Sequence, residues 1–562
     1  MKPVVVASHR CRHLPILLLA VFLVAGCSRP EASLRNAPTA PAITRLPVDA
    51  ASAKVLAHEI GTASLLHSPA PVRTVKPALR ALIDNGWKPS AGLQLEMKPL
   101  RTVYRGGQKI NCYTIRFTSH QWQGKPVRIF GFYGYPASMG GKRPALLLVH
   151  GGGGYATLDR VIEAGAAGFA SLSIDLPGKG LQRERYSRST GPDMTVEQIF
   201  TTNPQITDNY LYNAVLSQMR SITFLCSRPE VDAGRIGLVG VSWGGATGLI
   251  TTSLDKRVKC FVDLFGAGYL RDGSTWYDYF MKLPRRDFDT WEANFDSSRY
   301  VQDITVPVLG VTGTNDNCYY LEQFLRTQSN IRPTPQLLLL PNLDHKINPQ
   351  AKEAYYCWLR AQLLGKPLRP PMLNGLRVAA TERGVRMFVL PGGQVPVTGA
   401  DICYGGVGNV GWTNRRWQTV RCDADAGKCW WSGEFALPSQ VAYAFATVHF
   451  ADGSMLSTPV HSLSRVVINN RAYALDVPRP YAGPVQTEAY QLAGLLGAQI
   501  THDVDAGKVA LGLNGKEAQL PAQKLGELLF VQLRPAAEQL GGKITWRKGD
   551  GTSVRVPVAR AQ

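Results

Sequence analysis

Short apolar runs separated by amphipathic stretches dominate the middle of the chain. Runs of five to seven residues are typical of strands buried on both faces, and the longer stretches between them are typical of helices. This alternation predicts a parallel sheet with helices packed on both faces, so the predicted fold class is α/β. The apolar runs are Ala145–Val149, Ala170–Ile174, Arg235–Val239, Val258–Leu264, Val306–Val311 and Gln336–Leu340.

Strand patterns flank this block on both sides. Tyr113–Phe117 and Val127–Phe132 alternate as antiparallel strands at a sheet edge do, so the α/β domain is expected to span residues 75–365. After a Gly- and Pro-rich stretch, residues 374–462 show short strand patterns and no long helix, which predicts a β-sandwich. Its tryptophans could form a sugar-stacking platform, although aromatic residues of a small sandwich more often lie in the core. They are Trp412, Trp417, Trp430 and Trp431.

The last hundred residues contain an internal repeat. Residues 489–501 resemble residues 533–545 at an offset of 44, and each copy predicts a helix that ends at glycine and continues into a strand pair. The repeat resembles the stalk domain found as the N-terminal domain of some copper amine oxidases, which implies a small α+β domain over residues 466–562. No metal is implied, because this region has no cysteine and a single histidine, His502.

The first 26 residues have the pattern of a signal peptide. A basic start leads into an apolar run, Leu14 to Ala25, that is shorter than the roughly 20 residues a membrane-spanning helix needs. The small residues before Cys27 resemble the lipobox of bacterial lipoproteins. We therefore expect residues 1–26 to be removed and Cys27 to be lipidated, with cleavage as an ordinary secretory peptide as the alternative. Because serine follows Cys27, the resemblance implies a cell-envelope lipoprotein, at the outer membrane if the cell is Gram-negative. Residues 27–74 are expected to be a tether and N-terminal segment.

The chain is strongly basic. Its 562 residues hold 62 Lys and Arg against 41 Asp and Glu, a formal charge of +21 that becomes +18 without the predicted signal peptide. Basic surfaces often bind nucleic acid, but the sequence has no zinc-finger spacing, basic helix or aromatic RNA-binding signature. We therefore expect no nucleic-acid partner, and we expect the basic surface to lie near anionic lipid or wall polymers.

The ten cysteines leave two disulfide pairings open. Export would place them in an oxidising compartment. Cys422 and Cys429 flank a turn-like stretch and could bridge a hairpin, and Cys318 with Cys357 is a second candidate pair. No Cys/His spacing indicates a metal site, so neither a metal nor another cofactor is expected.

The strongest chemical signal is Gly-Val-Ser-Trp-Gly at residues 240–244. An apolar strand runs into it and a helical pattern follows, which is the context of a nucleophile elbow. Glycines at 240 and 244 permit the tight turn that lifts the Ser242 hydroxyl above the sheet. Ser242 is therefore the predicted nucleophile.

A glycine-rich loop upstream predicts an oxyanion hole. His150 is followed by four glycines directly after an apolar strand, and backbone N–H groups of such a loop can approach a developing oxyanion. Gly152 and Gly153 are the expected loop donors, and the N–H of Trp243 is expected to complete the hole. His150 is expected to shape the loop and not to act as the base.

The acid and the base follow in the order Ser, Asp, His. Asp316 lies after the strand pattern 306–311, and His345 lies after the pattern 336–340. A base must accept the serine proton, and a carboxylate must orient the resulting imidazolium. Asp316 is the favoured acid, with Asp263 as the competitor. Asp344 is expected to be a turn residue.

Residues 110–365 resemble an α/β-hydrolase of the acetyl xylan esterase and dienelactone hydrolase group. The similarity is greatest from Tyr212 to Gly245, where Cys-Ser-Arg-Pro-Glu-Val-Asp at 226–232 precedes the elbow, although Trp243 replaces the glutamine that commonly follows the serine. The resemblance implies a serine-dependent carboxylic-ester hydrolase that forms an acyl-enzyme and acts on acetyl esters or acylated carbohydrate. The aromatic-rich segment Leu270–Arg299 is a candidate lid.

The sequence is also compatible with two other functions. A serine peptidase of the prolyl oligopeptidase type shares the elbow and the glycine-rich loop, but such enzymes usually carry a β-propeller for which only about 80 residues are available here. A non-catalytic cell-surface protein would use residues 374–562 to contact the cell wall or polysaccharide. The expected function is that of an esterase held at the membrane by its lipid anchor.

Overall fold

The computed structural model describes residues 77–85, 92–137, 141–179, 188–365, 371–381, 384–406, 412–424, 430–436, 441–468 and 471–476, and short segments between 486 and 555. The predicted signal peptide, the lipidation site Cys27 and the tether lie outside the described residues. Cys429, and with it the candidate Cys422–Cys429 bridge, also lies outside them, as does the helix predicted for the first copy of the repeat.

A mixed sheet forms the centre of the fold. Its antiparallel strands are β1 Glu96–Arg105, β2 Gln108–Trp122 and β3 Lys125–Pro136, and its parallel strands are β4 Arg143–Val149, β5 Ala170–Ile174, β6 Val231–Val241, β7 Val258–Leu264, β8 Val308–Gly313 and β9 Gln336–Leu340. Across the sheet the order is β1-β2-β3-β5-β4-β6-β7-β8-β9. Each predicted apolar run overlaps one of the parallel strands, and the α/β prediction is confirmed.

Helices pack against both faces of this sheet. The α-helices described in the α/β region are α1 Ala78–Asp84, α2 Leu158–Ala166, α3 Val196–Phe200, α4 Tyr210–Cys226, α5 Trp243–Leu254, α6 Tyr277–Phe280, α7 Arg285–Phe295, α8 Leu321–Ser329 and α9 Pro349–Leu364. Successive residues of β4 enter different cores, since Leu147 packs in the core that holds α4 and Leu148 packs in the core that holds α9. Burial on both faces explains why these strands are continuous apolar runs.

A strand-rich region follows α9. Its strands are β10 Met372–Thr381, β11 Gly384–Gly392, β12 Val397–Gly406, β13 Gln418–Arg421, β14 Asp423–Ala424, β15 Trp431–Phe435, β16 Val441–Phe450, β17 Met455–Ser457, β18 His461–Ile468 and β19 Arg471–Asp476. The order β10-β11-β15-β14 forms one antiparallel sheet, while β12 pairs with β13 and β16 in another. Met387 and Ile402, one from each sheet, lie in the same apolar core, as the two layers of a sandwich do.

This strand-rich region continues the central sheet. Strand β17 pairs antiparallel with the edge strand β9, and the backbone N–H of Leu339 donates to Ser457 Oγ at 3.0 Å. Trp417, Tyr443 and Phe445 lie in the same apolar core as residues of the α/β region. The core is therefore continuous across the division expected between residues 365 and 374, and Trp417 is a core residue and not part of an exposed platform.

The last described strands form a separate five-stranded sheet and a hairpin that pairs with an earlier strand. The sheet consists of β20 Gln486–Glu488, β21 Gln499–Asp503, β22 Lys508–Leu513, β23 Lys516–Leu525 and β24 Leu528–Gln532, and the hairpin consists of β25 Lys543–Arg547 and β26 Gly551–Arg555. β21 and β25 begin 44 residues apart, and each opens an antiparallel hairpin, as the repeat predicts. Because β18 pairs with both β16 and β26, this single strand crosses the domain boundary expected between residues 462 and 466.

The prediction of a Cys318–Cys357 disulfide is wrong. Both residues are free thiols, and the Cys357 thiol donates to the backbone oxygen of Asp452 at 2.9 Å. This contact joins α9 to the turn after β16, whereas Cys318 lies on the loop after β8.

Among the helices that the structure describes, none is both long and apolar enough to cross a membrane.

A partly buried histidine links β2 to α4. His120 Nε2 donates to Asn213 Oδ1 at 2.7 Å, and its Nδ1 lies 2.8 Å from the Ser119 hydroxyl. Burial lowers the pKa of His120 to about 4. The folded chain therefore holds a neutral imidazole in conditions under which an exposed histidine would be charged.

We expect His120 to make the fold sensitive to acid. The unfolded imidazole titrates near pH 6.5 and the folded one near 4, so the unfolded chain binds more protons between these values and stability is lost as the pH falls through that window. The difference amounts to about 3 kcal/mol at most. Urea unfolding from pH 7 to pH 4 should show a smaller loss of stability in His120→Gln than in the unmodified chain, and equal losses in both would contradict the assignment.

Candidate active site

Ser242 lies on a strained turn between β6 and α5. Its backbone has φ 56° and ψ −121°, a conformation that residues other than glycine rarely adopt. Close backbone approaches explain the flanking glycines, because a Cβ on Gly240 would lie 2.2 Å from the Gly244 oxygen and one on Gly244 would lie 2.5 Å from the His150 oxygen. The turn therefore requires the glycines that the sequence places there.

Ser242, His345 and Asp316 form a hydrogen-bonded chain. The Ser242 hydroxyl donates to His345 Nε2 at 2.8 Å, and His345 Nδ1 donates to Asp316 Oδ2 at 2.7 Å. The carboxylate at Nδ1 selects the tautomer that leaves the Nε2 lone pair facing the serine. The structure thus brings together the three residues that the sequence predicts, although they lie as much as 103 positions apart.

The loop after β8 holds the Asp316 carboxylate in place. Asp316 is fully buried, and its Oδ1 accepts the backbone N–H groups of Cys318 and Tyr319, both at 2.8 Å. These bonds satisfy one carboxylate oxygen and leave Oδ2 for His345. The orientation of the acid is therefore fixed by its own loop.

Asp263, the competing acid, has other partners. It is fully buried, and its two oxygens accept the backbone N–H of Gly266 at 2.9 Å and the Gln328 side-chain amide at 2.7 Å. Burial raises the pKa of Asp263 well above its ordinary value. Asp263 lies near the end of β7, and its carboxylate does not take the place of Asp316 at His345. The acid that contacts His345 is Asp316. Asp344 forms an exposed ion pair with Lys346 at 3.0 Å, as expected of a turn residue.

The glycine-rich loop lies against the nucleophile. A Cβ on Gly151 would meet the Ser242 Cβ at 2.7 Å, so Gly151 lies directly against the serine. Gly152 is buried and Gly153 is exposed. Trp243 is the first residue of α5, and N–H groups at that end of a helix have no partner within the helix. Sequence reasoning missed Gly151, because consecutive glycines give no signal that distinguishes one from the next.

His150 organises this loop. Its Nδ1 donates to the Gly151 oxygen at 2.7 Å, and its Nε2 accepts the backbone N–H of Leu176 at 3.0 Å. Both ring nitrogens are thus engaged with backbone groups. This is the shaping role expected from the sequence.

Aromatic side chains crowd around Trp243. The ring centroid of Trp276 lies 4.7 Å from that of Trp243 and 5.1 Å from that of Tyr319, and the Tyr319 ring lies 6.0 Å from the His345 ring. Trp276 comes from the candidate lid, residues 270–299, whose helices α6 and α7 pack against Phe200 through Tyr279 and other aromatics. The lid segment is therefore packed over the residue that follows the nucleophile.

One group of side chains near the site could in principle bind a metal ion. Ligand atoms of Asp316, Cys318 and His345 lie within 4.8 Å of one another, in the part of the chain that the structure describes. The Asp316 and His345 atoms are already hydrogen-bonded to each other, and burial with the nearby Asp316 and Asp344 carboxylates raises the pKa of the Cys318 thiol to about 11. A protonated thiol is a poor metal ligand.

The elbow and its surroundings have counterparts in known proteins. Residues 85–270 match the acetyl xylan esterase (AXE1) family. The family match contains Ser242 and ends before Asp316 and His345. The predicted resemblance to acetyl xylan esterases is thereby confirmed for this part of the chain, whereas the resemblance of residues 466–562 to a stalk domain remains a prediction.

Individual relatives show the same resemblance. The acetyl esterase Axe7A of Xylanibacter ruminicola is 26% identical over 272 residues, which cover 45% of this chain and 60% of the relative. A solved acetyl xylan esterase from a Paenibacillus species is 21% identical, covers 52% of this chain and 97% of its own, and has a TM-score of 0.45. Acetyl xylan esterase 1 from a Thermoanaerobacterium species is 20% identical. The match covers 55% of this chain and 97% of the esterase, with a TM-score of 0.43. The chain thus spans less than two thirds of the length of Axe7A.

Proposed function

We propose that the protein is a serine-dependent carboxylic-ester hydrolase that acts on acetyl esters, with acylated carbohydrate as the substrate class. The observation that carries the proposal is the hydrogen-bonded chain from Ser242 through His345 to Asp316 on a strained elbow. The match of the segment around Ser242 to acetyl xylan esterases supports the choice of an ester over an amide.

Each residue of the chain has a defined task in this reaction. Ser242 Oγ attacks the acyl carbon while His345 Nε2 accepts its proton, and Asp316 stabilises the imidazolium through the Nδ1–H bond. The N–H groups of Trp243 and of the loop glycines Gly152 and Gly153 are the proposed donors to the oxyanion. His345 then returns the proton to the departing alcohol, which leaves Ser242 acylated.

The second half of the reaction uses the same groups in reverse order. Water enters after the alcohol leaves, and His345 accepts its proton as the oxygen attacks the acyl-enzyme. Collapse of the intermediate releases acetate, and His345 returns the proton to Ser242. The enzyme is thus restored without a cofactor.

The aromatic side chains beside His345 favour a short acyl group. Trp243 is almost fully buried, and it forms one continuous aromatic cluster with Trp276 and Tyr319 that extends to the imidazole ring. Such large, closely packed rings leave little room for a long chain next to the serine. An acetyl group fits this constraint best.

Loss of any member of the hydrogen-bonded chain should abolish ester hydrolysis. We expect Ser242→Ala, His345→Ala and Asp316→Asn each to reduce kcat/KM for p-nitrophenyl acetate by at least about a thousandfold, because they remove the nucleophile, the base and its orienting group. Asp263→Asn is the matched control, and it should stay within about threefold of the unmodified enzyme because Asp263 does not contact His345. Retained activity in Ser242→Ala, or faster cleavage of aminoacyl amides than of esters, would refute the proposal.

A smaller side chain at position 276 should relax the acyl preference. The unmodified enzyme is expected to prefer p-nitrophenyl acetate over the butyrate and octanoate esters. Trp276→Ala should raise kcat/KM for butyrate relative to acetate by about tenfold, since removing an indole opens space of several methylene groups. Tyr104→Ala, which alters an exposed aromatic of β1, should leave the ratio unchanged. An unchanged ratio in Trp276→Ala would show that this ring does not limit the acyl group.

We further propose that the chain is an exported cell-envelope lipoprotein, held at the membrane by Cys27, and that its C-terminal strands contact wall polymers or polysaccharide. The lipobox-like sequence before Cys27 supports the anchor. Cys27→Ser should move the protein from the membrane fraction to the soluble fraction, with Cys112→Ser, a change at a buried thiol, as the control. Equal fractionation of Cys27→Ser and the unmodified chain would refute the anchor, and failure of the full chain to sediment with insoluble polysaccharide would refute the contact.

A further inference from the structure

Asn315 ties the loop that carries Asp316 to the strand-rich region. Its Nδ2 donates to the backbone oxygens of Thr413 at 3.0 Å and Arg415 at 2.6 Å. Its Oδ1 accepts the hydroxyl of Thr314 at 2.7 Å. Both amide hydrogens and the amide oxygen are therefore used, and two of the three bonds reach residues about a hundred positions away.

Asn342 does the same for the loop that carries His345. Its Nδ2 donates to the Trp417 oxygen at 2.8 Å, and its Oδ1 accepts the Trp417 N–H at 2.8 Å. The side chain thus pairs with a backbone unit as a neighbouring strand would. Asn342 has φ 58°, a conformation that asparagine tolerates better than most residues. We call residues 413–417 the clamp segment.

The two loops are also bonded to each other. The backbone N–H of Asn342 donates to the Thr314 hydroxyl at 2.8 Å, and the backbone N–H of Asn315 donates to the Leu343 oxygen at 2.9 Å. The loops after β8 and β9 therefore form one unit, and the clamp segment contacts both of its members.

The clamp segment is itself fixed to a buried strand. The ring of Trp417 lies 5.2 Å from that of Phe445, and the Arg415 guanidinium lies 4.6 Å from the ring of Tyr443. Phe445 and Tyr443 belong to β16, which reaches the central sheet through β17. A displacement of β16 would consequently be transmitted to both loops.

We propose that Asn315 and Asn342 are positioning residues for catalysis, and that they make the strand-rich region a working part of the active site. This inference rests on the proposed function. Asn315 directly precedes Asp316, and Asn342 lies three residues before His345. Their bonds therefore hold the two loops at the separation that lets the Asp316 carboxylate contact the His345 ring. Misplacement of catalytic groups by about 1 Å can cost on the order of a hundredfold in rate.

Two variants test the proposal without replacing a catalytic residue. Asn315→Ala removes the bonds to Thr413 and Arg415, and Asn342→Gly removes the bonds to Trp417 while glycine accepts the positive φ. We expect each to lower kcat for p-nitrophenyl acetate by about 10- to 100-fold per active site titrated with a fluorophosphonate, with KM within about threefold. Arg386→Ala is the control, because it breaks an ion pair with Glu434 elsewhere in the strand-rich region and should leave kcat unchanged.

Hydrogen exchange gives a readout that does not depend on turnover. Peptides that cover residues 313–319 and 341–347 should exchange faster in both asparagine variants than in Arg386→Ala. If the variants lose titratable sites or thermal stability but keep kcat per site and loop exchange, the clamp is merely structural and the proposal is overturned. If the unmodified chain shows no Ser242-dependent turnover, the proposed function fails. In that case hydrogen exchange of the two loop peptides still tests whether the clamp segment holds the loops. Equal exchange in the asparagine variants and in Arg386→Ala would overturn the positioning proposal as well.

Discussion

The bond between His345 and Asp316 is the interaction on which the site depends. It joins two loops that follow the carboxyl ends of the neighbouring parallel strands β8 and β9. The bond orients the imidazole so that its free lone pair faces Ser242. Because Asp316 is fully buried, its carboxylate is stable only while its loop supplies hydrogen-bond donors, so the chemistry and the local fold have the same requirement.

Ser242 approaches this bond from a third strand and at a conformational cost. A positive φ on a residue other than glycine persists only where the surroundings determine it. Here β6, α5 and the glycine-rich loop approach so closely that no Cβ fits at Gly240 or Gly244. The packing of backbone on backbone thus holds the hydroxyl in the one place where the imidazole can reach it.

The sequence was most informative where chemistry and periodicity coincide. Ser242 could be predicted because an apolar strand, two glycines and a helix leave a local pattern, and Asp316 and His345 followed from their positions after buried strands. Gly151 could not be distinguished from its neighbours. The clamp by Asn315 and Asn342 was invisible, because these are side-chain bonds to backbone atoms some 75 to 100 residues away, and the chain at those positions shows no periodic signal. The core shared across the expected divisions was equally invisible, since strand pairing over long separations decides which residues share a core.

The pairing of β17 with β9 bears on how the chain is made. Strand β9 is complete once residue 340 has been synthesised, but the strand that covers its outer edge ends more than a hundred residues later. Until then, the edge presents unpaired backbone groups to which a strand of another chain can add. Pairing with β17 removes part of this exposed edge, and a chain that ended after α9 would leave the whole outer edge of β9 open to such addition.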